Sequence, residues 1–205
     1  MGTGDSKTVA DLHRSEAMTP AAWLRVGEDL FAVACHLEPN AMEYWGTAGE
    51  QKRTAARFYR VYMMLTGFAF ENVFKALIVH RQHEDLDRAY QAKPSKLGLP
   101  RVLLSHDLLL LAPEAGLEVT EDRVRDFLAR LSRYVEWQGR YPGPVKPERL
   151  RMKDILNLDP EHLVCIETFF NGDFAVAQTL YARAMAIVAK RKLLEVHSPD
   201  AGAGS

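Results

Sequence analysis

The chain has 205 residues, 26 Lys+Arg against 27 Asp+Glu, and 47% apolar, 9% aromatic and 26% charged content. That balance describes one globular domain: too apolar and too nearly neutral for a disordered chain, too poor in Gly and Pro for a collagen-like or low-complexity one. A formal charge of −1 excludes the bulk-basic argument for nucleic-acid binding, so only a local cluster of cations can make such a footprint.

Residues 1–18 are polar and aperiodic and residues 197–205 are small, so both read as flexible tails around a single domain at 19–196. Thr19-Pro20 has the form of a cap followed by a first-turn proline, and Trp23, Leu24, Leu30, Phe31, Ala34 and Cys35 recur helically until Glu38-Pro39, the expected stop. From about Glu50 to Arg81 there is no Pro and one Gly, with apolar residues on several faces, which predicts a central helix covered all round. KPSKLGLPRV reads as a loop. Ser105 then reads as the cap of a short helix, HDLLLLAPEAG, closed by Pro113 and Gly116.

Thr120 is the expected cap of the next helix, with Glu121 and Asp122 in its first turn and an end near Gln138, before Gly139 and the prolines that follow. Asp159-Pro160 opens a C-terminal helical region to about Leu194, with a break expected at Asn171-Gly172 and a restart at Asp173. Alternating strand patterns are absent, so the predicted fold is all-α, an antiparallel helical bundle with a long buried central helix.

Cys35 and Cys165 sit in apolar runs, which predicts buried thiols, no disulfide framework or zinc site, and a reducing, cytoplasmic compartment. No membrane association is expected: the most apolar segment, Phe68 to Val79, is interrupted by Glu71, Asn72 and Lys75. MGTGDS fits the myristoylation pattern but has no polybasic companion, and is read as chance.

Four constellations could carry chemistry. On the helix from Thr120, Val124, Phe127, Leu128, Leu131, Tyr134 and Val135 share one side; with Arg123 at zero, Arg130 falls near −20°, Arg133 near −80°, Arg140 near −100° and Trp137 at about −40°. An Arg stripe beside an aromatic can hold phosphates and stack a base, while its plain alternative is a solvated or partner-facing surface paired to Glu121, Asp126 and Glu136. Glu71 and Lys75 form an i,i+4 pair whose helix neighbours are Met64, Gly67, Phe68 and Ile78, so partial burial is expected, and Gly67 would let another backbone approach. The pair is read as structural or site-forming. His106-Asp107 opens the short helix, where Asp107 can accept amides and a neutral His106 could transfer a proton or simply orient the loop. His80, His83 and Glu84 form a two-turn cluster with no third ligand at a telling spacing, so no metal is expected, and no cofactor motif is present: GxGxxG, GxxxxGK[ST] and GxSxG are all absent.

Taken together and in order, GFAFENVFKALIV, SHDLLLLA and LSRYVEWQGRYP resemble the bacterial HEPN superfamily over about Arg53 to Tyr141. The resemblance implies a small helical bundle that dimerises and, in nucleolytic members, cuts RNA with an Arg-x4-6-His motif brought together across the dimer. The Arg stripe and this resemblance together nominate Arg123, Arg130, Arg133, Trp137, Arg140 and Tyr141 for nucleic-acid binding, with His106, Arg133 and Arg140 as the catalytic candidates. Here the motif is broken: Arg140 stands where a His is expected, and the next His is His162. A guanidinium is not a base, so His106 would have to supply the imidazole. The expected function is a non-standard RNA- or nucleotide-binding homodimer, an atypical or inactive metal-independent ribonuclease in a bacterial defence or toxin–antitoxin setting. The alternative is a non-catalytic helical dimer that binds a protein partner.

Overall fold

Helix α1 runs Pro20–Met42 in the computed structural model, which describes residues 15–92, 99–138 and 170–191. Thr19 takes the N-cap position, but its hydroxyl donates to the Ser15 carbonyl, not to the new helix. The expected stop at Pro39 is overrun by one turn. A proline inside a helix forfeits one amide and crowds the preceding turn; here buried Ala41 follows it, and a 3-10 turn, Glu43–Trp45, sets Trp45 edge-on against the Tyr59 and Phe174 rings.

Helix α2 spans Gly49–Ala92, longer than the predicted 50–81. The predicted end is marked by a kink: Gln82 leaves helical geometry (φ −118°, ψ 23°) while its amide donates to the Glu114 carboxylate at 2.8 Å. Every residue from Val73 to Val79 is buried, as are Tyr59, Tyr62, Met63, Ala69 and Phe70, so the middle of α2 is surrounded. By length and composition this helix could cross a bilayer, contrary to the sequence expectation, but 72% of its apolar window is buried inside the bundle. Burying each large apolar side chain is worth about 1.5–3 kcal/mol, enough to account for its place at the centre of a bundle.

The remaining helices pack around it. A 3-10 turn, Arg101–Leu104, occupies part of the expected loop and leads into α3, Leu108–Ala115; α4 is Asp122–Arg133, continued by a π-helical turn, Tyr134–Gln138; α5 is Asp173–Lys190. Among the described residues there is no strand, and the fold is an all-α bundle. Directions follow from the pairs. Trp23 meets Lys75, Phe31 meets Phe70 and Trp45 meets Tyr59, so α1 is antiparallel to α2. Phe127 meets Phe70 and Val135 meets Gly67, so α4 is antiparallel too. Helix α5 runs with α2, since Phe174 meets Tyr59 and Tyr181 meets Phe70, and against α4, since Asp173 meets Arg130 and Arg183 meets Glu121.

Several boundaries are corrected. Asp107, not Ser105, caps α3: its Oδ1 accepts the amides of Leu109 (3.0 Å) and Leu110 (3.3 Å), while Ser105 Oγ accepts the amide of Asp107. Pro113 lies inside α3, which closes at Gly116 in the left-handed region (φ 88°). Glu121, not Thr120, holds the N-cap position of α4, and no side chain bonds there. Asp173 does restart a helix after Gly172; the expected start at Asp159-Pro160 lies outside the described residues, as do KPSKLG and Cys165.

Candidate functional site

Glu71 and Lys75 lie one turn apart on the most enclosed stretch of α2, and both are buried, at 6% and 3% exposure. The ammonium donates to Glu71 Oε1 at 2.5 Å and stands 5.3 Å over the Trp23 ring of α1. The other carboxylate oxygen, Oε2, accepts from His106 Nδ1 at 2.9 Å. Thus two candidates from separate parts of the sequence meet on one carboxylate. Burial pushes the Glu71 carboxyl up, but the His106 hydrogen bond and the charge and hydrogen bond of Lys75 outweigh it, leaving the group below its ordinary value.

His106 itself is 44% exposed at the side chain. A neutral ring whose Nδ1–H is engaged on this carboxylate would keep a lone pair on Nε2, the tautomer a general base requires. The backbone that carries it is pinned at both ends. Upstream, Ser105 bonds the Asp107 amide; downstream, Ser132 Oγ of α4 accepts the Leu108 amide at 2.9 Å while donating to the Leu128 carbonyl. Ser132 was invisible as a site residue in the sequence, where it reads only as a small residue inside an amphipathic helix. Its neighbour Arg133 is half-buried on the same turn.

Gly67 explains how α4 comes close enough. A Cβ there would stand 2.6 Å from Val135 Cγ2 and 3.2 Å from the Leu131 carbonyl oxygen, so only glycine admits this crossing. Gly27 plays the same part where α1 crosses, against Val73 and the Ala69 carbonyl.

The arginine stripe does not survive as a solvated row. Arg130 is buried, at 5% exposure. Its Nη1 and Nη2 donate to the Asp173 carboxylate at 2.5 and 2.7 Å and its Nε to Asp126 at 2.9 Å, with the Phe170 ring 4.6 Å away. Tyr59 donates to the same Asp173 carboxylate. Burial opposes the guanidinium charge, but the hydrogen bonds and charge of Asp173 more than offset it, so the group is held charged; burial beside Asp173 likewise pushes the Tyr59 phenol up. Arg130 therefore turned inward because α5 supplies a carboxylate at that height, a partner 43 residues away that helical angles cannot reveal. Arg123 is exposed and lies against Gly172, where a Cβ would stand 1.4 Å from its Nη2. Trp137 falls in the π turn, and Arg140, Tyr141 and His162 lie outside the described residues.

His80 and His83 are exposed, and among the described residues no group of three metal-ligating side chains converges. Cys35 is half-buried, less enclosed than expected, and burial with the nearby Glu38 charge pushes its thiol up. A groove of about 770 Å³ is walled by Arg101, Leu104, Ser105, Asp107, Leu110 and Glu114 among others. Ser105 and Asp107 line this groove, while the side chain of His106 between them bonds Glu71. No family model, curated protein or solved structure matches the chain.

Proposed function

We propose that the chain is a HEPN-like RNA- or nucleotide-binding protein in which His106 transfers a proton at a phosphodiester. One observation carries this reading: an exposed imidazole whose Nδ1 is held on a buried carboxylate, which leaves Nε2 free to act. In an RNA substrate, Nε2 would take the proton of a 2′-hydroxyl as its oxygen attacks the adjacent phosphorus; the 5′-oxygen of the next nucleotide leaves and takes a proton back from the imidazolium, giving a 2′,3′-cyclic phosphate. Arg133, on the α4 turn fixed to the His106 segment through Ser132, suits the charge that builds on the phosphate. Histidine thus supplies the role that the broken Arg-x4-6-His pattern leaves vacant. The family resemblance further supports a homodimer in bacterial defence or a toxin–antitoxin pair, and the cysteine usage supports a reducing cytoplasm.

A second reading, a non-catalytic interaction module, draws on Arg130, which its buried pair withdraws from any phosphate, and on Val26 and Val33, 44% and 52% exposed one heptad apart on α1. One experiment separates them: RNA binding and cleavage in chelator, across salt, with light scattering on the same samples. The expected result is a dimer with a negative salt slope that cleaves RNA, His106→Ala abolishing cleavage at nearly unchanged affinity. Salt-independent or absent binding of RNA and nucleotides gives the interaction reading instead.

A further inference from the structure

We infer that Lys75 is a positioning residue for His106, acting through Glu71 to keep the imidazole neutral and its Nε2 unprotonated; the inference rests on the proton-transfer reading for its use but not for its test. The geometry divides one carboxylate between two donors, Oε1 to the lysine at 2.5 Å and Oε2 to the imidazole at 2.9 Å. A buried carboxylate needs a counter-charge. If the imidazole were the only candidate, Glu71 would hold a second proton on it, and a doubly protonated ring is no base. Lys75 supplies that charge from inside the helix, so the ring can serve as a neutral hydrogen-bond donor.

The surroundings reinforce the division. From α1 the pair meets the uncharged Trp23 ring, which seats the ammonium. Asp107, next to His106 in the chain, lines the groove, and its Oδ1 is engaged by two backbone amides. Lys75 is in direct contact with Glu71 and, at 3% exposure, cannot swing into solvent. A lysine placed only to neutralise a buried acid would serve as well with both oxygens to itself; here one oxygen is left to the histidine.

The test is nitrogen-detected NMR of the imidazole through a pH titration, without RNA. In the wild-type protein near neutral pH, a neutral ring with the proton on Nδ1 is expected. In Lys75→Met the ring should keep its second proton to higher pH, and the acidic limb of any cleavage profile should move up with it; Lys75→Arg should restore the wild-type titration. A purely structural lysine would alter stability without moving that titration. A doubly protonated ring in the wild type near neutral pH overturns the inference, even if Lys75→Met fails to fold, and so does an identical titration in a folded Lys75→Met. Absent RNA cleavage with these spectra as expected counts against the proton-transfer reading and leaves the role of Lys75 standing.

Discussion

Among the described residues Lys75 and Arg130 end in the interior, each against a buried carboxylate, and they differ in how readable they were. The Glu71–Lys75 pair is local, four residues apart on an apolar helix, and its burial was legible from its neighbours. Arg130 was not, because nothing in its own helix announces Asp173; angular position gave it a solvated face, and α5 took it in. Removing one member of a buried pair typically costs 3–5 kcal/mol. Lys75→Met and Arg130→Met should therefore both lower the denaturant midpoint by amounts of that order, where a stripe reading of Arg130 expects almost no change. The Lys75 loss should depend on pH with a definite sign. Glu71 is lowered in the fold, so its contribution is complete above the ordinary carboxylate range and fades as pH falls through the depressed value. The two midpoints should be compared at neutral pH and again in acid; an Arg130→Met midpoint equal to wild type at neutral pH would return that residue to the surface.

Helices were easier to find than their ends. Apolar recurrence and cap or breaker residues located the described α-helices, though not the 3-10 turns, but caps depend on which oxygen reaches which amide, and at α3 two nearby polar residues competed for that role. The π turn at Tyr134–Gln138 was beyond reach for a different reason: angles computed at 100° per residue lose their register where the winding widens, so the positions assigned to Trp137 and Arg140 do not carry past Tyr134. Gly67 was legible as a close approach, and it supports a prediction. Gly67→Ala gains about 1 kcal/mol of helix propensity but drives a methyl into Val135 and toward the backbone oxygen of Leu131. Overpacking of this kind costs about 1–3 kcal/mol, so a net loss of stability is expected, partly recovered in Gly67→Ala/Val135→Ala. A stabilised single variant in thermal melts would mean that α4 stands farther from α2 than described.

The bundle as a whole was legible in class, since a chain with helical periods and no alternating runs has few other ways to bury its faces. The site was legible in its parts, Glu71, Lys75 and His106, but not in its assembly: 35 residues separate His106 from Glu71, and only packing shows that they share a carboxylate. Asp173 shows the same limit at greater range, for it joins Tyr59 across 114 residues and Arg130 across 43. That reach bears on the order of events during folding. The α1–α2 hairpin closes over a short turn, whereas the Asp173 contacts join residues 114 and 43 positions apart, separations whose closure entropy must be met first. Asp173→Asn should accordingly leave the refolding limb of a chevron nearly unchanged and steepen the loss on the unfolding side, and a matching drop in the refolding rate would place α5 in the nucleus. The carboxylate that draws Arg130 out of solvent thus acts as a late latch, setting how long the finished bundle lasts more than how fast it forms.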